Sequence, residues 1–240
     1  MIGIQPRNEP HWRDLWPSAI KPSSMHILRT ALLGSAFLVL LAPASAQFND
    51  KGTVHLAIGL AGGAHGTEYK TTISIFGGNY SDTETDGAAT ITVPIELDFG
   101  ISKKFSLGLY LEPGSYLDSS ATESNSMALV GLQPRFYFIN GDRFAWLGSL
   151  QLGAAGLKIE RDETFTESSA TYAGGNFGLG TGVVFQFTDL IGLQLHMRYM
   201  TTNMKLRDYT LNGNDVDLDN YEAELRTRGF AVQASLGFRF

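Results

Sequence analysis

The sequence predicts an all-β fold, an eight-stranded antiparallel up-and-down β-barrel that spans a membrane. Three observations lead to this prediction. Apolar residues recur at every second position in eight segments after residue 47, which is the period of a strand with one apolar face. The connections between these segments alternate in length, and the last segment ends in the apolar residue Phe240. Eight is the strand number of the smallest closed barrels.

The first four segments each place a row of apolar side chains on one face and polar side chains, such as Glu96 and Gln133, on the other. The rows are Val54, Leu56, Ile58 and Leu60; then Ile91, Val93, Ile95, Leu97, Phe99 and Ile101; then Phe105, Leu107, Leu109 and Leu111; and then Val130, Leu132, Pro134, Phe136 and Phe138. Side chains alternate between the two faces of a strand, so each segment is predicted to be a strand with an apolar outside and a polar inside.

The last four segments repeat this pattern up to the end of the chain. Their rows are Phe144, Trp146, Leu150 and Leu152; Phe177, Leu179, Val183, Phe185 and Phe187; Leu193, Leu195, Met197 and Tyr199; and Phe230, Val232, Ala234, Leu236, Phe238 and Phe240. Rows of this length match the roughly 9 to 11 residues with which a tilted strand crosses a bilayer. Aromatic residues near the strand ends are typical of interfacial girdles.

The connections are the second signal for a membrane barrel. Three are tight turns, with the sequences SKK, INGDR and TDL, and contain turn-forming residues. The other connections, roughly 63–88, 116–125, 160–170 and 205–222, are rich in Gly, Ser, Thr, Asn and Asp and are predicted to be loops. Short turns on one side and long connections on the other are typical of transmembrane barrels, and this layout puts both termini on the periplasmic side.

The N-terminal region contains the one long apolar run of the chain. Arg29 precedes the apolar stretch from Ala31 to Ala42, and Ala44-Ser45-Ala46 follows it. A charged residue, a short apolar region and an A-x-A site indicate a secretory signal peptide, and the apolar region is too short for a transmembrane helix. We therefore predict a signal peptide at 25–46, cleaved after Ala46, and a barrel at 47–240. Residues 1–24 are predicted to be an extension or a misassigned start.

Composition narrows the class of partner. The chain contains no cysteine, which excludes disulfides and thiolate metal sites. Without residues 1–46 the chain loses four basic and two acidic residues, which leaves 14 basic and 22 acidic residues and a net charge of −8. This acidic balance argues against nucleic acid as a partner.

Charged residues recur on the predicted polar face: Glu96, Asp98, Glu112, Arg135, Arg198 and Arg239. An unpaired buried charge is costly, so we expect the acids to pair with the arginines or to contact water. Eight strands enclose a space only just wide enough for side chains, which predicts a filled or very narrow lumen rather than a general porin. The alternation alone is also compatible with a soluble sandwich or calycin.

With its signal peptide, short turns and the stretch GLGTGVVFQFTDLIGLQLHMRYM, the chain resembles the small outer-membrane β-barrel domain family of Gram-negative bacteria, of the OmpA/OmpX sort. The resemblance covers the mature chain and implies an integral outer-membrane location. It also implies an assembly signal in the last strand, a polar residue followed by a glycine and then by hydrophobic residues. Gln233, Phe238 and Phe240 fit this signal, whereas Ser235 stands where glycine is usual.

Two kinds of site were sought in the pattern. Lipid A deacylase-like barrels pair a histidine with a nearby serine, but no serine lies two residues after His55, His65 or His196; we therefore predict no catalytic residues and no enzyme activity. Asp215, Asp217 and Asp219 alternate as at the start of an EF-hand, yet Asn220 and Arg226 stand where such a loop requires glycine and glutamate. Loose binding of divalent cations and a solvated acidic loop remain the two alternatives, and we predict no cofactor.

The sequence therefore predicts an outer-membrane barrel with a structural or surface-interaction role, such as adhesion or envelope integrity. The alternatives are a small channel for ions or hydrophobic solutes and a lipid-modifying barrel enzyme. The predicted partners are outer-membrane lipid and lipopolysaccharide, the barrel-assembly machinery, and an extracellular ligand bound through the long connections. Because lipopolysaccharide is anionic, acidic outer segments would need bridging cations to approach it.

Overall fold

All of the regular secondary structure that the computed structural model describes, over residues 47–75, 78–118, 124–163 and 166–240, is β-strand. The ten strands are β1 (Val54–Ile75), β2 (Gly78–Thr92), β3 (Ile95–Ser102), β4 (Phe105–Asp118), β5 (Ser124–Asn140), β6 (Phe144–Glu163), β7 (Thr166–Gln186), β8 (Ile191–Leu211), β9 (Asn214–Asp215) and β10 (Tyr221–Arg239). Among the described residues, no helix has the length and apolar character needed to cross a bilayer. The predicted extension 1–24 and signal peptide 25–46 lie outside the described residues and stay predictions.

The strands form one closed antiparallel barrel. β2 and β3 together make a single barrel strand between β1 and β4; it is interrupted at Pro94, which has no backbone N–H for the ladder. β9 lies in the connection between β8 and β10. The described strands thus give eight barrel strands, each paired with its neighbour along the chain, and the predicted eight-stranded up-and-down topology is confirmed.

Closure joins the first and last barrel strands over almost their whole length. β1 pairs with β10 from His55 opposite Arg239 to Ile73 opposite Tyr221. At the end of the chain the Val54 N–H donates to the Phe240 carbonyl at 3.0 Å, and the Phe240 N–H donates to the Val54 carbonyl at 2.8 Å. The ring of strands therefore has no unpaired edge at this seam.

The exterior carries the apolar rows that the alternation predicts. Large side chains with much of their surface exposed form a belt around the barrel: Ile58, Leu60, Ile91, Phe99, Ile101, Leu107, Leu109, Leu111, Val130, Leu132, Phe136, Phe138, Trp146, Leu152, Phe177, Leu179, Phe185, Phe187, Leu195, Met197, Phe230, Val232 and Leu236. Near the short turns, aromatic rings contact one another, for example Phe138 and Trp146 with ring centroids 4.8 Å apart. A belt this apolar on a closed barrel is the surface that lipid solvates.

The long connections differ from the prediction. Most of residues 63–88 are not a loop, because β1 and β2 stay paired as far as Ile75 opposite Gly78. β6 and β7 likewise stay paired to Glu163 opposite Thr166. Ladder hydrogen bonds join backbone groups and do not require apolar side chains, so the strands continue beyond the belt as hairpins. We call this the hairpin end, and the end with the short connections 103–104, 141–143 and 187–190 the turn end.

The connection between β8 and β10 contains a further hairpin that the sequence analysis missed. Asn212 and Gly213 both have positive φ angles, 51° and 76°, as a two-residue type I′ turn requires. They join β8 to β9, where Leu211 pairs with Asn214 and Thr210 with Asp215. Asp215 therefore lies in a strand rather than in a loop.

Candidate functional site

The lumen at the turn end is filled by an apolar layer that we call the lower layer: Phe48, Tyr137, Ala145, Leu147 and Val184. Phe48 precedes β1 and its ring lies 4.4 Å from that of His55 and 5.8 Å from that of Tyr137. The segment that carries it is held by backbone bonds, since the Phe48 N–H donates to the Gly141 carbonyl at 3.1 Å. Residues before the first strand thus close the mouth of the barrel.

Asn49 fixes this segment from within. Its side chain is fully buried, its amide donates to the Ser102 carbonyl at 2.6 Å, and its backbone N–H donates to Asn140 Oδ1 at 2.9 Å. Asn140 in turn donates to the Asn49 carbonyl at 2.6 Å. The burial of this segment was not predicted, because four residues carry no periodic signal. Its one cue in the sequence is the apolar Phe48 beside three polar residues.

Above the lower layer lies a polar layer, in which the structure brings together five of the six predicted lumen charges. Arg135 donates to Glu96 Oε2 and Asp98 Oδ2, both at 2.6 Å, and all three side chains are almost completely buried. Gln133 accepts a further bond from Arg135 at 2.8 Å. Arg135 on β5 is therefore the centre of an ion-pair cluster that ties β5 to β3.

A third ion pair of the polar layer joins Arg198 on β8 to Glu112 on β4, across the lumen. Thr92 donates to the same carboxylate at 2.5 Å. Gln233 links the two ion-pair clusters, since its amide donates to Glu96 at 3.1 Å and its oxygen accepts from Arg198 at 3.3 Å. The Arg198–Glu112 pair thus joins opposite strands across the lumen, and Gln233 connects it to the strands nearer the closing seam.

Arg239, the sixth predicted lumen charge, bonds to backbone carbonyls within the part of the chain that the structure describes. It donates to the backbone carbonyls of Asp189 at 3.1 Å and Gln47 at 2.9 Å. The acids pair with Arg135 and Arg198, whereas Arg239 lies at the turn end, where its backbone N–H donates to the Leu190 carbonyl. Its guanidinium instead ties the end of β10 to a turn and to the N-terminal segment.

An upper apolar layer closes the lumen above the polar layer. It contains Tyr110, Tyr116, Leu129, Ala155, Leu157, Tyr172, Met200, Met204, Ala223, Leu225 and Ala231, all buried. A cavity of about 20 Å³ remains between this layer and the ion pair of Arg198 and Glu112. This volume is about that of a single water site.

The hairpin end opens above the upper layer into a cavity of about 750 Å³, which we call the vestibule. Its wall contains five tyrosines, four carboxyl side chains and one arginine, together with small and apolar residues. The tyrosines are Tyr69, Tyr116, Tyr172, Tyr209 and Tyr221, the acids are Glu84, Asp86, Asp118 and Asp217, and the arginine is Arg161. A volume in this range is typical of small-molecule sites.

The three hydroxyls of Tyr69, Tyr172 and Tyr221 form a chain. Tyr172 donates to Tyr69 Oη at 3.3 Å, and Tyr69 and Tyr221 share a second bond of 3.3 Å. Burial raises the pKa of Tyr172 and of Tyr221, so both phenols stay neutral at physiological pH. The sequence analysis did not assign these tyrosines to a site, although the alternation of β1 places Thr67 and Tyr69 on the same face.

The acidic residues proposed from the sequence lie in different places. Three further acids, Asp82, Glu84 and Asp86, come from the predicted loop 63–88 but are on β2, and Glu84 and Asp86 face the vestibule. Asp217 also lines the vestibule, whereas Asp215 and Asp219 do not line it. Within the described residues, no group of three or more acidic or histidine side chains is close enough to hold one metal ion.

The residues of the predicted assembly signal lie on both faces of β10. Phe238 and Phe240 follow the outward row and are partly exposed, whereas Gln233 is buried in the polar layer. Ser235, which stands where the signal usually has glycine, accepts a bond from Gln233 at 2.8 Å. Gln233 therefore has a structural task inside the barrel besides the predicted role in assembly.

His55, His65 and His196, the histidines of the described residues, point into the barrel and are buried. His65 is hydrogen-bonded to Thr90, with Nε2 2.9 Å from Oγ1, and His55 packs against Phe48. His196 lies against Gly182, where the added Cβ of any other residue would overlap its ring. None of them has surface toward the lipid exterior.

Comparison with known proteins gives the fold. No family model matches the chain, and no curated protein matches it. Among solved structures, the outer membrane protein OprG from Pseudomonas aeruginosa superposes with a TM-score of 0.52 at 12% identity, over 80% of this chain and 97% of OprG. The outer membrane protein AlkL, determined in DMPC lipid bilayers, superposes with a TM-score of 0.51 at 11% identity, over 83% of this chain and 95% of AlkL.

These likenesses confirm the predicted small outer-membrane β-barrel fold. Both neighbours are outer-membrane proteins, and the predicted integral outer-membrane location agrees with them and with the apolar belt. At 11 to 12% identity the likeness extends to the fold alone.

Proposed function

We propose that the protein is a non-conducting outer-membrane barrel with an interaction role at the cell surface. The observation that carries this proposal is the stack of lower, polar and upper layers beneath an open vestibule. Apolar layers exclude water, and the ion pairs of Arg135 and Arg198 fill the space between them. A role in adhesion or envelope integrity requires an outer surface and a stable barrel, and it does not require a pore.

The hairpin end faces the cell exterior in this proposal. In bacterial barrels the short turns are periplasmic and the long segments are extracellular, so the vestibule opens to the outside medium. Its ligand would arrive by diffusion and bind above the upper layer without entering the lumen. Outer-membrane lipid and lipopolysaccharide would surround the belt. The barrel-assembly machinery would recognise the end of β10.

Planar-bilayer recording of the purified full-length barrel tests the proposal. We expect no stable conductance above the membrane baseline, and liposomes that contain the protein should not swell in small sugars or amino acids. A variant with Glu112→Ala and Arg198→Ala, which removes one crossing ion pair, is a useful comparison, because the other two layers should keep it silent. Large stable conductance from the unaltered monomer would overturn the proposal and favour the small-channel alternative.

The lipid-modifying alternative has a separate test. A base for such chemistry must reach the lipid, but His55, His65 and His196 are buried in the lumen. Mass spectrometry of lipid A from a strain without the gene should therefore give the same species as the parent strain. A missing or new acylation state that returns on complementation would assign an enzyme activity instead.

A further inference from the structure

The charges of the vestibule are unevenly distributed, and this inference about them rests on the proposed surface role. Among the described residues, Glu84, Asp86, Asp118 and Asp217 line the cavity together with one basic residue, Arg161, a formal charge of −3. Glu84 and Asp86 come from β2 and Asp118 from the neighbouring strand β4, where it pairs with Ala88. A cavity with a low-dielectric wall and one sign of charge concentrates ions of the opposite sign, so the ligand is a cation.

The spacing of the acids indicates an extended cation. Glu84 and Asp86 occupy alternate positions of β2, and Asp82, which does not line the vestibule, continues the row, so the three side chains share one face at intervals of roughly 6.6 to 6.8 Å. A calcium ion collects six to eight oxygens at about 2.3 to 2.6 Å, and the described residues include no cluster that could do this. A linear molecule with several separated positive charges fits the ladder, whereas a single metal ion does not.

The tyrosines supply the other half of the site. Tyr69 lies directly opposite Glu84 in the β1–β2 ladder, and its ring meets that of Tyr172 edge to face, with centroids 6.5 Å apart. Aromatic faces attract ammonium groups and give apolar contact to the methylene carbons between them. The hydroxyl chain of Tyr69, Tyr172 and Tyr221 adds neutral oxygen acceptors for N–H donors.

We propose that the vestibule binds linear aliphatic polyamines, with ammonium groups along the carboxylates of β2 and methylene segments against Tyr69 and Tyr172. The volume of about 750 Å³ accommodates such a molecule in an extended form. The attraction between the ammonium groups and the carboxylates is electrostatic, and the carboxylates are in contact with solvent. Binding should therefore weaken as added salt shortens the Debye length.

Titration calorimetry of the full-length barrel in zwitterionic phosphatidylcholine nanodiscs tests the proposal, because these lipids add no net negative charge. The probes are spermine, butylamine and Mg²⁺. We expect saturable one-to-one binding of spermine and at least tenfold weaker binding of butylamine. Binding of Mg²⁺ as tight as that of spermine would assign the vestibule to simple divalent cations and overturn the proposal.

Matched variants locate the site. Glu84→Gln with Asp86→Asn should weaken spermine binding at least tenfold. Glu160→Gln with Glu222→Gln changes the net charge equally on exposed residues that do not line the vestibule, and it should leave binding within about twofold. An equal loss in both double variants, or no spermine binding to the parent protein, would overturn the proposal.

The aromatic part has its own test. Tyr69→Phe keeps the ring and should keep most of the affinity, whereas Tyr69→Leu removes it and should weaken binding several-fold; equal affinity in the two variants would contradict the assigned role of the ring. A failure of these binding tests leaves the proposed function open to its own test, since conductance depends on the three layers and not on the vestibule.

Discussion

Arg135 holds two carboxylates in a space that eight strands leave only wide enough for side chains. Glu96 and Asp98 are both within hydrogen-bonding distance of its guanidinium, and Gln133 and Gln233 bond to members of the same cluster. Removing one partner of a buried ion pair leaves an uncompensated charge, which costs far more than the pair itself contributes. The cluster is therefore the most sensitive point of the lumen at the scale of single residues.

We predict that Arg135→Met destabilises the folded barrel by about 3 to 5 kcal/mol, because Glu96 and Asp98 lose their cation and remain buried. Urea unfolding of the protein reconstituted in lipid vesicles, followed by tryptophan fluorescence, measures this change. Arg228→Gln removes the same charge from an exposed position of β10 and should change the free energy of unfolding by less than about 0.5 kcal/mol.

A triple variant separates charge from packing. Arg135→Met combined with Glu96→Gln and Asp98→Asn leaves no unpaired charge, so it should recover a large part of the lost stability. Equal stability of Arg135→Met and the parent protein would show that the cluster does not contribute to the fold.

Two inward glycines make room for these side chains. A Cβ at Gly108 of β4 would overlap the carboxylate of Asp98, and a Cβ at Gly182 of β7 would overlap the ring of His196. Both contacts are made by side-chain atoms that lie in the crowded polar layer. Glycine is used here for close approach, since neither residue has a positive φ angle.

At the scale of elements, the last strand completes the barrel. Phe240 exchanges two backbone hydrogen bonds with Val54, and its side chain continues the outward row of β10. The predicted signal for the assembly machinery ends at the same residue. Closure and recognition therefore both depend on the terminal phenylalanine in this interpretation.

We predict that deletion of Phe240 strongly reduces the amount of folded protein in the outer membrane, because both the terminal backbone bonds and the last apolar side chain are lost. Quantitative immunoblots of outer-membrane fractions measure it. Phe240→Leu keeps the backbone bonds and an apolar end, and it should assemble at or near parental levels. Parental levels after the deletion would contradict the assembly-signal hypothesis for Gln233, Phe238 and Phe240.

The whole molecule is a closed hydrogen-bonded ring inside an apolar belt, and such rings resist unfolding by detergent. We predict heat-modifiable migration: unheated and boiled samples from outer-membrane fractions should run at different positions on a denaturing gel. The cause is that all barrel strands, including β1 and β10, are paired on both sides. Identical migration, with the protein in the soluble periplasmic fraction, would contradict the membrane-barrel interpretation.

The alternation of apolar residues predicted which side chains of each barrel strand point outward. Alternation is a local property, since outward residues contact lipid and inward residues contact the lumen. It did not predict the length of the hairpins. Residues 63–88 have the composition of a loop, and only the pairing with a partner strand makes them β-structure. Turn chemistry did offer one signal, the Asn212-Gly213 pair, that marks the hairpin to β9.

The partners of the charged lumen side chains could not be predicted from the sequence, for a related reason. The set of inward charges followed from alternation, but the choice of partners depends on strand register and height in the barrel. Arg239 lies at the turn end and contacts backbone carbonyls. Phe48 was missed because its burial depends on the shape of the mouth formed by β5, β6 and β7, which no local pattern encodes.

The length of β1 also sets how far the protein stands out from the lipid. From Ala64, which lies opposite the belt residue Phe230, to Ile75 the strand climbs roughly 28 Å at a rise of about 3.3 Å per residue and a tilt of about 40°. Near the top, Ile73, Ile75 and Tyr80 are 39%, 47% and 70% exposed. The described end of this hairpin thus exposes apolar side chains to water, and such a surface favours contact with another macromolecule.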